Sequence, residues 1–168
     1  MKYCITYLLL ILIIFSCGKN PSAPDNNNTI VSIASDKPFY NVGETIQVKV
    51  VIEKMDAPVF GFYCNIEYDS LILGFDDSAG LIEGDFLEDN AISFINDHDA
   101  TITVTITSIQ GETGVTGNGT AFSLNFNAIS SGQTIIKFIP NELDFYDASG
   151  SIINYDNLEL ISSNIIIN

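Results

Sequence analysis

The residues with catalytic or metal-binding potential are few and poorly matched to one another. One histidine, His98, and three cysteines, Cys4, Cys17 and Cys64, make up the imidazole and thiol inventory. A nucleophilic cysteine or serine needs a positioned base, and a zinc site needs about three or four such ligands. Carboxylates are plentiful instead. Asp97-His98-Asp99, Asp76-Asp77, and Asp85 with Glu88-Asp89 are the densest groups. Calcium takes about six to eight oxygen ligands, and none of these groups has the spaced D-x-[DN]-x-[DN]-G pattern of a calcium loop. A pair of acids is also the equipment of a glycosidase. Here acids are scattered through the loops, and there is no tryptophan to build a sugar platform. The clusters therefore read as solvated hairpin tips, and the chain as one with neither catalytic nor metal-binding residues.

Charge narrows the partners. Acidic side chains number 21 against 6 lysines and no arginine, a formal charge of −15 over 168 residues. Nothing in that balance neutralises a run of phosphates, which excludes nucleic acid, and nothing grips anionic lipid heads. A hydrophobic share of 46% against 16% charged residues excludes a largely disordered chain. The length suits one domain with a real core.

Residues 1–16 read as a leader. Lys2 supplies the positive start, and Ile5 to Phe15 is an unbroken uncharged run. That run is short of the roughly 20 residues a membrane span requires. Ile14-Phe15-Ser16-Cys17 follows, which resembles the bacterial lipobox and implies that Cys17 becomes the acylated first residue of the mature protein. Two or more acyl chains make attachment to a membrane stable. Residues 17–29, with two prolines, a serine and an Asn-rich run, then form a lipid-anchored polar linker. The expected location is the bacterial cell envelope, with the domain facing the exterior or the periplasm. With Cys4 removed and Cys17 consumed, Cys64 has no disulfide partner, and it reads as a small buried hydrophobe.

From residue 30 to 168 the apolar pattern has period two. Ile46, Val48, Val50 and Ile52 alternate with polar residues over 45–53. Phe60, Phe62, Cys64, Ile66 and Tyr68 do so over 59–68, with Tyr63, Asn65 and Glu67 on the other side. Ile102, Val104 and Ile106 alternate with threonines over 101–107, and Phe122, Leu124 and Phe126 alternate over 120–128. Shorter runs at 30–34, 71–75, 91–95, 134–139 and 158–167 complete about nine strands, with turn signals at Val42-Gly43, Ser78-Ala79-Gly80, Gly117-Asn118-Gly119, Ser131-Gly132 and Ser149-Gly150. Strands apolar on one face must pair their sheets. The expectation is an all-β, antiparallel β-sandwich of jelly-roll or immunoglobulin-like order.

Several stretches together resemble the cohesin domain. Val42-Gly43-Glu44 leads into the second strand, and Gly61-Phe62-Tyr63 runs through Tyr68-Asp69 in the third. Gly117-Asn118-Gly119 opens the strand that ends at Phe126, and an apolar strand at Asn164 to Ile167 closes the domain. Tyr68 is placed to cap the core and Asp69 to accept backbone N–H groups in the turn that follows. The resemblance implies a jelly roll that binds a dockerin-bearing protein, with no cofactor in this chain and calcium in the partner. It also implies a recognition face built around the third, fifth and sixth strands. By alternation, that face presents Tyr63, Asn65, Glu67, Thr103, Thr105, Ser123 and Asn125. Tyr63 stands where the family often has an exposed acid. A carbohydrate-binding module of the same architecture, taking polysaccharide directly, and a surface lipoprotein serving as a spacer are the other two readings.

Overall fold

The structure, a computed structural model, describes residues 28–75, 80–87, 91–109, 113–155 and 157–168. Among them every regular element is a strand. These are β1 (Thr29–Ser35), β2 (Phe39–Tyr40), β3 (Thr45–Val59), β4 (Gly61–Glu67), β5 (Leu73–Phe75), β6 (Leu81–Glu83), β7 (Ala91–His98), β8 (Thr101–Ser108), β9 (Val115–Ala128), β10 (Gly132–Tyr146), β11 (Leu158–Ile161) and β12 (Ser163–Ile167). Side chains alternate across a strand, so the branched and aromatic residues that recur every second position all reach the same side. Ile46, Val48, Val50 and Ile52 of β3, and Ile102, Val104 and Ile106 of β8, are buried on that account.

Two sheets result. One has the order β11-β1-β3-β9-β5, with β6 also pairing with β9, and the other the order β2-β12-β10-β4-β8-β7. Their inner faces meet in a core where Phe62 of β4 stacks on Phe122 of β9 across the sandwich, ring centroids 5.8 Å apart. Tyr68 closes one end of this core. Its ring packs on Phe126 at 5.2 Å, and its hydroxyl donates to Asp97 Oδ2 at 2.8 Å. Asp69 Oδ1 accepts the Leu71 N–H at 2.9 Å, as the Tyr-Asp motif implies.

The all-β sandwich agrees with the sequence, while the strand count rises from nine to twelve. β2 and β6 are too short to show a period. The single strand expected over 158–167 divides because the chain leaves the first sheet after β11 and enters the second as β12. The first run, β1 into β2, makes the same crossing beside it. That is why β1–β11 and β2–β12 pair in parallel within an otherwise antiparallel sandwich. The turn expected at Gly117-Asn118-Gly119 is instead an irregular stretch inside β9, where the register against β3 shifts. Gly117 takes φ +100 there, a value that suits glycine. Asn118 Oδ1 accepts the N–H of Lys54 at 2.7 Å. Ser78 and Ala79 of another expected turn lie outside the described residues.

Candidate functional site

The outer face of β10, β4, β8 and β7 carries most of the residues singled out above. Strand register sets them in rows. Asp144, Tyr63, Thr105 and Phe94 stand directly across from one another. In the next row Asn65 faces Thr103, which faces Asn96. Below that lie Lys137, Glu67, Thr101 and His98. In antiparallel strands, opposed residues share a face, so each row is one line of side chains over the sheet. The third, fifth and sixth strands of the expected nine are β4, β7 and β8, and they do lie side by side.

Local structure explains the flatness of the centre. β8 contributes only threonines outward, and β-branched residues pack upright on a pleated surface. The β7–β8 hairpin closes on Asp99 and Ala100, both at positive φ, the pattern of a two-residue primed turn. Of the Asp97-His98-Asp99 cluster, expected as a solvated hairpin tip, only His98 and Asp99 are solvated, with His98 Nδ1 and Asp99 Oδ2 3.2 Å apart. Asp97 points inward to Tyr68. Across the sheet, β10 breaks its pairing with β4 between Phe138 and Leu143. Residues 139–142 therefore stand opposite Asn65 alone, with Pro140 lacking a donor and Asn141 at φ +66. Asn65 Nδ2 donates to Glu142 Oε2 at 2.6 Å and to Tyr63 Oη at 2.8 Å. Lys137 Nζ lies 3.3 Å from Glu67 Oε2, an exposed pair at the margin of the face.

Two of the expected face residues belong elsewhere. Ser123 and Asn125 are on β9, in the opposite sheet, and turn toward Lys49 and Gln47 of β3. Ser123 is 7% exposed, crossed by Ile82 of β6, and Asn125 Oδ1 accepts from Gln47 Nε2 at 3.3 Å. Alternation assigns a side of a strand, but not which sheet the strand joins, and the two sheets have outer faces on opposite sides of the sandwich. Conversely, the sequence assigned β7 to the face but none of its residues. Its outward residues include Ile92 and Phe94, 41% and 63% exposed, in line with Thr107 and Thr105. The available signal was that Ile92 and Phe94 fall on the opposite alternation from Ile95. Cys17, Asp76-Asp77 and Glu88-Asp89 lie outside the described residues. Among the described residues, no group of three His, Cys, Asp or Glu side chains is arranged to hold a metal ion.

The profile of the cohesin domain matches residues 29–159. The chain belongs to the cohesin domain family. Cohesin domains are non-catalytic protein–protein interaction modules and carry no cofactor. No curated protein matches this cohesin. Solved structures do. A non-cellulosomal cohesin from the hyperthermophilic archaeon Archaeoglobus fulgidus superposes with a TM-score of 0.66 at 20% identity, over 84% of this chain and 91% of that one. A type II cohesin domain from the cellulosome of Acetivibrio cellulolyticus gives 0.69 at 17%, over 82% and 95%. A type II cohesin–X–dockerin complex from the same organism gives 0.71 at 15%, over 83% and 99%. At these identities the likeness speaks for the fold.

Proposed function

We propose that this cohesin is a receptor that holds a dockerin-bearing protein against the outer face of β10, β4, β8 and β7, from a lipid-anchored position on the bacterial cell envelope. The observation that carries the reading is the uncovered row Asp144–Tyr63–Thr105–Phe94. An amphipathic tyrosine and an exposed phenylalanine sit there among short polar side chains on a flat sheet. Aromatic anchors within a polar, water-excluding surround are the usual composition of a binding hot spot. A cohesin–dockerin complex among the folds this chain shares supports the choice of partner. Calcium would enter with the dockerin, and the role falls within polysaccharide breakdown. The leader and the Ser16-Cys17 junction carry the envelope part, with Cys17 as the acylated residue.

The test is capture on immobilised domain of calcium-loaded dockerin modules encoded in the same genome, repeated with chelator and with Tyr63→Ala. Binding is expected with calcium and lost with chelator, because dockerin folding depends on its metal. The variant should bind about 2 kcal/mol more weakly at an unchanged melting temperature. Retention of insoluble polysaccharide without any dockerin would replace this reading by the carbohydrate-binding one. For the anchor, Cys17→Ala should abolish acyl labelling, and normal labelling would refute it.

A further inference from the structure

The edge of a sheet presents a row of unpaired backbone groups, and proteins keep such edges short, charged or covered. Here one sheet ends on β11 and β5, and the other on β2 and β7. β11 has four residues, β5 three and β2 two, whereas β7 has eight. β7 pairs with β8 without a break from Ala91↔Ser108 to His98↔Thr101, so no bulge turns it away. In an antiparallel ladder every second residue aims its N–H and C=O away from the neighbouring strand. Among the described residues, no backbone–backbone bond reaches β7 except from β8. The strand has neither lysine nor proline, and residues 91–96, Ala-Ile-Ser-Phe-Ile-Asn, carry no charge. Its one acid, Asp97, lies near the end and accepts the Tyr68 hydroxyl.

We infer that β7 is a self-association edge, on which β7 of a second copy of this chain pairs antiparallel about a two-fold axis at Phe94. Unpaired backbone groups call for a strand, and β7 is its own complement. With the axis at Phe94, outward residues meet outward ones: Phe94 faces its copy, and Ile92 faces Asn96. On the inner side Ser93 faces Ile95. Aromatic residues directly opposed across two strands make a favourable pair. Charge selects the same arrangement. Asp97 falls opposite Ala91, and six residues at about 3.4 Å each set the two copies of Asp97 about 20 Å apart, beyond the screening length of about 8 Å. Parallel pairing would set Asp97 on Asp97. The dimer is closed, because the joined sheet ends on the two-residue β2 at both sides. One strand ladder is smaller than the roughly 800 Å² per partner of a standard interface, and the charge of −15 on each copy opposes approach. The association is therefore weak and strengthened by salt. It lengthens the outer face of β10, β4, β8 and β7 without covering it, and it does not depend on what that face binds.

The experiment is sedimentation velocity of the full chain in mild detergent, over a range of protein and salt concentrations. Phe94→Lys, Phe94→Glu and an equal mixture of the two accompany the wild type. The wild type should pass from monomer to dimer as concentration rises, and pass further at high salt. Each charged variant should stay monomeric, because like charges meet on the axis, and the mixture should recover a dimer holding one of each. Melting temperatures should match the wild type, since Phe94 is 63% exposed. A wild-type chain that is monomeric to its solubility limit overturns the inference and leaves the edge to an extended segment of another protein. Association kept by either charged variant alone runs through another surface and overturns it as well. A mixture that stays monomeric overturns the two-fold axis at Phe94. Dockerin capture reads the outer face and is scored separately from all of these.

Discussion

Asn65 is the single residue of β4 that faces the four-residue bulge of β10, and its amide bonds Glu142 Oε2 at 2.6 Å and Tyr63 Oη at 2.8 Å. One side chain thus orients the central aromatic of the face and fastens Glu142. At the sequence level it reads as an outward residue of the expected recognition face, and its hold on Glu142 is visible only in the structure.

Asn65→Ala should therefore loosen the bulge. We expect a loss of about 1 kcal/mol in urea unfolding, since a hydrogen bond to a carboxylate is among the stronger kind. Amide exchange should accelerate at residues 139–142 (Pro140 lacks the group) and stay unchanged in β8. Identical exchange in variant and wild type would show that Asn65 does not hold the bulge.

Gly84 marks a close approach between β6 and β9. A Cβ there would lie 2.0 Å from the carbonyl oxygen of Thr120, and the Gly84 N–H already donates to Ala121 O at 3.0 Å. Backbone cannot yield as a flexible side chain does, so Gly84→Ala should cost about 2 kcal/mol or more. Chemical denaturation measures this, and an unaffected midpoint would mean that β6 does not sit against β9 as described.

Cys64 is fully buried between the sheets, and desolvation pushes its thiol well above the usual range. The thiolate is the reactive species, so labelling by a thiol reagent should be slow in the folded domain and prompt in denaturant. Rapid labelling of native protein would put β4 on the wrong face.

Two tyrosines should govern alkaline unfolding. Burial, followed by the hydrogen bond to Asp36, pushes Tyr40 up to about 12. Burial, followed by the charge of Asp56, does the same for Tyr155. Both values lie above the ordinary tyrosine pKa of about 10, so the folded state holds these protons more tightly than the unfolded one. That contribution is fully present below pH 10 and is lost as pH rises toward 12. Tyr40→Phe and Tyr155→Phe should each flatten the fall in stability over that window, whatever their effect at pH 7. An unaltered slope in the double variant would contradict the assignment.

What the amino-acid sequence determined by itself was everything that depends on period and local chemistry. The alternation of Ile46 to Ile52 and of Ile102 to Ile106 settles strands with one buried face, and burial of Cys64 follows from its place beside Phe62 and Ile66. Tyr68-Asp69 announces its own turn, because the side chain of Asp69 bonds a backbone group two residues on. The inward or outward sense of Tyr63, Asn65, Thr103 and Thr105 was equally legible. Only the tertiary structure decided which strands are neighbours, since hydrogen bonding between strands distant in sequence leaves no periodic trace in either. It moved Ser123 and Asn125 to the far sheet, brought Phe94 into line with Tyr63, and divided the last strand between the two sheets. It also brought Glu142 to Asn65, because a bulge needs a partner strand to be out of step with, and a single strand read alone has none.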